Sequence, residues 1–391
     1  MITTLKKALY YGWWLIRFVA KMSISLVLSV ALRHRDEYKN LWLIMELPQE
    51  ARDNGYWLYK YIIDNHPEIN VRYVLSDKSP DYAKMPAKNR ITKPYSWQHY
   101  ISYILSTRSI STHMYGACPG RYYVKLFSVL IPNKEEVFLQ HGVLANIIHT
   151  RGFSGWAVVS SSSEEEYFID SGYTEKKFLR TGLCRFDNLS DSSKELSHKT
   201  ILIMPTYRSW LGGFVQTDLR SFRADDFYKK WQSLLTNKDL NSFIEGHGYK
   251  IIFYPHRQMQ QFAKYFSGSD NVEIATKDDY DVQELLKKSS LLVTDYSSVF
   301  YDFSYMKKPV LLYPFDKKRF YTDHHKSSGK LYPFGEYCQN EDMLVEQIKK
   351  SAKNNFKISK KDISRVEEFF TYTDTDNCKR NFETIRELGL K

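Results

Sequence analysis

A chain of 391 residues, 43% apolar and 26% charged, has enough material for two domains with full cores, which excludes a disordered protein. Its four cysteines, Cys118, Cys184, Cys338 and Cys378, include no CxxC pair, which argues against a zinc site or a disulfide framework and suits a reducing compartment. A net charge of +11 points to acidic partners: phosphates, anionic lipid or nucleic acid.

Residues 1–35 carry Lys6, Lys7, Arg17, Lys21, Arg33 and Arg35 and no acid, so these six cations supply more than half of the net charge. Trp13, Trp14, Phe18 and the run from Ile24 to Leu32 lie among them. Arg17, Lys21, Ser25 and Ser29 recur every four residues and form one polar stripe on a helix. The pattern predicts an amphipathic helix lying in the headgroup region of an anionic membrane. Arg17 and Lys21 interrupt the ~20 apolar residues that a span requires. Two other readings stay open: a signal peptide, from the cleavage-like Ser29-Val30-Ala31, and a soluble helix packed on the protein.

From Leu41 the sequence alternates strand and helix. Strands are expected at 41–45, 71–75, 109–112, 137–140, 157–160 and 178–182, with helices at 56–65 and 95–106. The polar run Ser190 to Lys199 reads as a linker. The rhythm restarts with strands at 200–204, 250–254, 272–274, 291–293 and 310–312 and closes on helices at 363–370 and 381–388. This is the βαβ pattern of doubly wound α/β domains. The expected division is a membrane segment 1–35, an α/β domain 36–189 and a second α/β domain 200–391, the two domains flanking a cleft at the carboxyl ends of their sheets.

The chemistry falls at strand ends. Leu291 to Val293 leads through Thr294 and Asp295 to Ser297 and Ser298, which can cap a helix through Val299, Phe300 and Phe303 until Pro309 stops it. A helix start with two hydroxyls offers an anion site, although an ordinary capped helix has the same sequence. Val137 to Gln140 runs into His141-Gly142, and Lys250 to Tyr254 into Pro255-His256-Arg257, where imidazole beside guanidinium suits phosphate oxygens. Ile201 to Met204 delivers Thr206 and Arg208 to the same kind of edge. Arg185 and Asp187 at the boundary read as a buried brace. No carboxylate cluster has metal-ligand spacing, and no helix-turn-helix or RNA-binding aromatic motif accompanies the charge.

Taken together, Gln140-His141-Gly142, Pro205-Thr206-Tyr207-Arg208, Pro255-His256 and Thr294-Asp295-Tyr296-Ser297-Ser298 with Asp302 resemble the CDP-glycerol glycerophosphotransferase family. Asp53-Asn54-Gly55 and Gly182 to Asp187 sit where that family has similar residues. The resemblance implies a glycosyltransferase-B architecture and a peripheral enzyme on the cytoplasmic face of the membrane. It would move a polyol phosphate from a CDP donor, glycerol or ribitol, to a lipid-linked acceptor in teichoic acid synthesis, with no cofactor, metal or nucleic acid and with oligomers possible. It also implies His141 and His256 as catalytic, with Thr206, Arg208, Arg257, Asp295, Ser297, Ser298 and Asp302 on the donor and Asp53 and Asn54 on the acceptor. A nucleotide-sugar glycosyltransferase of the same architecture is the alternative.

Overall fold

The fold is taken from a computed structural model that describes residues 2–120, 123, 126–143, 150, 152–212, 218–276, 279–324 and 334–389. Side chains before Tyr11 lie outside the described set, Lys6 and Lys7 among them. The chain divides into two compact units, one of residues 1–141, 149–187 and 374–391, the other of residues 142–148 and 188–373.

The first unit holds seven parallel strands: β1 (Trp42–Met45), β2 (Val71–Val74), β3 (Ile91–Thr92), β4 (Arg108–Ser111), β5 (Glu135–Phe138), β6 (Trp156–Val158) and β7 (Phe178–Leu179). Their order is β3-β2-β1-β4-β5-β6-β7. Around them lie α1 (Ile2–Leu32), α2 (Asn54–Asn65), α3 (Trp97–Leu105) and α4 (Ser162–Asp170). β1, β2 and β4 are buried along their whole length, and β1 accordingly runs apolar rather than alternating. Ser96 accepts from the His99 N–H at 3.2 Å and starts α3.

The second unit holds β8 (Thr200–Ile203), β9 (Lys250–Phe253), β10 (Val272–Ile274), β11 (Leu291–Thr294), β12 (Val310–Leu312) and β13 (Glu336–Tyr337), parallel and in the order β10-β9-β8-β11-β12-β13. Its helices are α5 (Leu219–Ala224), α6 (Asp226–Leu235), α7 (Lys238–His247), α8 (Val282–Lys288), α9 (Val299–Tyr305), α10 (Lys317–Arg319), α11 (Glu341–Lys353) and α12 (Lys360–Phe369). Trp231 is fully buried beneath the sheet, edge-on to Tyr313 at 5.6 Å. In each sheet the order reverses at one place, between β1 and β4 and between β8 and β11. These are the switch points at which open α/β sheets bind ligands.

Three features differ from the expectations. The last helix, α13 (Asn377–Glu387), belongs to the first unit, not to the second. Asp187 accepts the Asn377 and Cys378 N–H groups at 2.8 and 2.7 Å, and Phe382 stacks on His66 at 3.9 Å. The polar run 190–199 is docked rather than free: the Ser192 N–H donates to the Lys287 carbonyl, and Asp191 lies 3.6 Å from Lys308.

The polar stripe of α1 is the third. Ser25 and Ser29 are buried together with Phe18 and Met22, because small side chains let α1 settle against α3. Gly120 receives the Phe18 ring so closely that a β-carbon there would lie 2.3 Å from it. The outward face is apolar, with Ile16 69% and Val27 73% exposed. By length and composition Tyr11–Leu32 is also sufficient to cross a membrane, at 22 residues and mean hydropathy 1.9, contrary to the sequence argument from Arg17 and Lys21. Those two cations are accommodated sideways: Arg17 lies over Trp13 at 4.4 Å, and Lys21 donates to the Tyr95 carbonyl at 2.7 Å.

Candidate active site

Each unit carries its chemistry at the carboxyl edge of its sheet. In the first, β4 and β5 lie side by side with Ser111 opposite Phe138, so the residues just beyond them emerge together. His141 is exposed there, and its ring stacks on His113 with centroids 5.2 Å apart. Its Nδ1 lies 3.4 Å from the Thr112 carbonyl. Donation from Nδ1–H to that carbonyl fixes the neutral tautomer with a lone pair on Nε2, the form that accepts a proton.

The backbone leading to His141 is held by its neighbours. Gln140 has φ +62°, left-handed for a non-glycine residue, at a cost of about 1–3 kcal/mol. Its side-chain amide donates to the Val158 carbonyl at 2.6 Å and to Glu164 at 3.1 Å. Asn54 is fully buried, donates to the Leu139 and Gln140 carbonyls at 3.2 and 2.9 Å, and accepts from the Arg185 N–H at 2.9 Å. Asp53 accepts from the Asn54 N–H and from the Arg185 guanidinium, each at 2.8 Å. The sequence reading put Asp53 and Asn54 on the acceptor and paired Arg185 with Asp187. The geometry pairs Arg185 with Asp53 and sets Asn54 under the His141 turn.

At the end of β1 stands Glu46, a buried carboxyl that accepts the N–H groups of Arg52, Asp53 and Tyr56 at 2.9, 3.0 and 2.7 Å and so closes the start of α2. Burial, and after it the Asp53 carboxylate, raise its pKa. Glu46 and His113 were missed in the sequence. Both follow strands, β1 and β4, so the strand-end logic that found His141 applies to them equally.

In the second unit, β9, β8 and β11 run in register, with Ile203 beside both Phe253 and Val293. Three residues past Phe253, His256 opens a 3-10 helix at 257–265 and accepts the Gln258 N–H on Nδ1 at 3.2 Å, leaving its proton on Nε2. Its ring stacks on Tyr207 at 4.9 Å. Burial, and then the Arg257 charge, lower its pKa to about 4, so it is a neutral donor at physiological pH. Arg257 is exposed beside it.

Ser297 and Ser298 are half-buried after β11. Ser298 occupies the N-cap position of α9, yet its side chain makes no capping bond. The Ser298 hydroxyl is therefore not consumed in capping the helix. The Thr206 hydroxyl is buried without a partner among the described residues, while its N–H donates to Asp295 at 2.8 Å.

Arg208 was expected on the donor, but its side chain is wholly buried between Asp295, at 2.8 Å, and Asp316, at 2.7 Å. It also donates to the Thr206 carbonyl at 2.7 Å. Burial alone would lower its pKa; the two carboxylates outweigh that and raise it. Asp295 additionally accepts the Tyr296 N–H at 2.6 Å. Arg208 and Asp295 thus brace the loops after β8 and β11. Asp302 is buried within α9. Among the described residues no group of three or more His, Cys, Asp or Glu could hold a metal ion.

Two doubly wound units, each with an imidazole and polar groups at its carboxyl edge, define an α/β enzyme of the class that handles nucleotide-activated substrates. The family is specific: residues 26–387 match the model of the CDP-glycerol:poly(glycerophosphate) glycerophosphotransferases, and the chain belongs to that family. It is 30% identical over 369 residues to the minor teichoic acid biosynthesis protein GgaB of Bacillus subtilis (strain 168), covering 90% of this chain and 40% of that protein. A teichoic acid poly(glycerol phosphate) polymerase of Bacillus spizizenii is 27% identical over 260 residues, 61% of this chain and 58% of that one. The chain thus spans about half the length of these relatives. Among solved structures, the wall teichoic acid polymerase TagF has the same fold, with TM-score 0.64 at 17% identity over 99% of this chain and 98% of that one. A UDP-bound MnaA of S. aureus follows at TM-score 0.53 and 12% identity, over 88% of this chain and 95% of that one.

Proposed function

We propose that the chain transfers a polyol phosphate, glycerol phosphate first and ribitol phosphate as the variant, from a CDP donor to a hydroxyl of a lipid-linked acceptor in teichoic acid synthesis, at the cytoplasmic membrane surface. The observation that carries this reading is the second unit's edge: a neutral imidazole with its proton on Nε2, a guanidinium and three hydroxyls stand where adjacent strands end around the β8–β11 switch point. That set offers fixed donors to a pyrophosphate.

The acceptor O–H gives its proton to Nε2 of His141 as the oxygen attacks the phosphorus that bears the polyol. The bond from that phosphorus to the CMP oxygen breaks, the new phosphodiester forms, and CMP leaves with the electron pair. Charge grows on the leaving phosphate, and Nε2–H of His256, Arg257, Thr206, Ser297 and Ser298 stabilise it. Arg208, Asp295, Asp53 and Asn54 position these groups.

A donor screen tests the reading: the full chain releases CMP from CDP-glycerol or CDP-ribitol in the presence of acceptor and leaves nucleotide sugars intact. Release from nucleotide sugars alone would replace it with glycosyl transfer. On the donor side, the double variant Ser297→Ala with Ser298→Ala should weaken donor binding tenfold or more by calorimetry, from the loss of two bonds to a charged group at about 1–2 kcal/mol each. Unchanged affinity in the folded variant would remove the serines from the site.

Membrane contact is assigned to the outer face of α1, where Trp13, Ile16, Val27 and Val30 are exposed and Arg17, Arg33 and Arg35 offer cations to anionic lipid. Because Phe18 and Met22 belong to the first unit's core, point changes test this better than deletion. Ile16→Glu with Val27→Glu should release the folded protein from vesicles of anionic lipid. Retention on those vesicles would contradict the assignment.

A further inference from the structure

We propose that the cavity between α1 and the carboxyl edge of the first sheet is the acceptor subsite, holding the terminal polyol or sugar unit of the lipid-linked acceptor, so that the helix assigned to the membrane also forms a wall of the site. This rests on the transfer reaction above. The cavity measures about 620 Å³, within the range of sites for small molecules and large enough for a polyol phosphate or sugar with the start of its anchor.

Its lining combines two chemistries. Tyr11 and Trp14 of α1 line it with Leu47, Tyr95 and Tyr123, and Trp14 packs against the Tyr95 and Tyr123 rings, so part of the wall is aromatic and apolar. Flat rings of this kind suit the C–H faces of a sugar or polyol and the first methylenes of a lipid. The polar part comes from Glu46 and His113, which stand just past β1 and β4 at the sheet's switch point. Glu46 is held in that lining by three backbone N–H groups, which fix its carboxyl at the end of β1. His113 of this lining stacks on His141, the imidazole assigned as base, so the cavity opens beside the base.

The wall explains how a membrane-anchored substrate arrives. Tyr11 and Trp14 lie on the same side of α1 as the buried Phe18 and Met22, whereas Ile16 and Val27 lie on the opposite, exposed side. Lipid on one face of the helix and the cavity on the other leave the acceptor only the width of a helix to bridge, ~10 Å.

The test uses a glycerol-phosphate oligomer on an octyl chain, soluble without vesicles, and two variants of the full chain. Leu47→Trp fills the cavity; Tyr11→Ala removes a wall that is 59% exposed and outside the core. Calorimetry on each should show the oligomer's Kd raised tenfold or more, with the Kd for CDP-glycerol within twofold of the wild type. An oligomer Kd unchanged in both variants, with a loss seen only on vesicle-bound acceptor, would reduce α1 to an anchor and overturn the subsite. Equal losses for oligomer and CDP-glycerol would overturn it too, since the cavity would then not be acceptor-specific. Because binding is read directly, a wild type that binds the oligomer but releases no CMP from CDP-polyols defeats the transfer reading while leaving the subsite standing.

Discussion

Arg208→Ala should cost the second unit about 3–5 kcal/mol, the penalty for leaving buried charges unpaired. The substitution deletes the guanidinium between Asp295 and Asp316, leaving Asp295 with the Thr206 and Tyr296 N–H groups and Asp316 with the Tyr296 hydroxyl but neither with that cation. It also empties a site ringed by Phe227, Tyr296 and Phe320, each about 5.1 Å from the guanidinium carbon. At about 2–4 °C per kcal/mol for a domain of this size, Tm should fall by roughly 10 °C. Asp316→Asn should cost less, because Arg208 keeps Asp295 and both remaining groups stay hydrogen-bonded. Calorimetric unfolding of the three proteins separates this account from the reading in which Arg208 grips the donor. That reading predicts an Arg208→Ala protein of ordinary stability with weak donor binding.

His141→Ala should lower the transfer rate by about 10²–10⁴-fold while leaving the Kd for CDP-glycerol nearly unchanged, since a general base acts on the acceptor. His256→Ala should weaken donor binding as well as rate, because its Nε2–H meets the pyrophosphate before and during transfer. The two also differ in pH dependence. With its pKa lowered to about 4, His256 gains a proton only in strong acid, so donor affinity through His256 stays flat from pH 6 to 8. Stability follows the same sign: the unfolded imidazole takes up a proton near pH 6.5 and the folded one does not until about 4, so acidification across that window disfavours the fold. Single-turnover rates beside calorimetry decide the division of labour. Full activity in folded His141→Ala would end its assignment as base, and equal losses of donor affinity would put both imidazoles on the donor.

The sequence was most legible where a strand is buried on both faces. The runs at 291–293 and 310–312 are unbroken apolar segments, and the sheet places them at its centre and beside it. The two-residue strands β3 and β13 at the sheet edges have no periodicity to read and were missed. Strand-end positions were legible for the same physical reason, since polar residues directly after buried strands emerge at one edge. What a single chain does not display is which polar residues there are consumed by one another. Arg208 and Asp295 look like ligands until their mutual 2.8 Å bond is seen, and Asn54 until its amide is found under Gln140. The α1 stripe failed similarly: a four-residue repeat marks one face, but serines small enough to pack closely are as welcome against protein as against water.

Mass spectrometry of the lipid product tests the central claim most directly. The 391-residue chain, given CDP-glycerol and a lipid-linked acceptor in vesicles, should extend the acceptor by glycerol-phosphate units and release one CMP for each unit added. Extension of the acceptor by a sugar from a nucleotide sugar, with CDP-glycerol left intact, would contradict it.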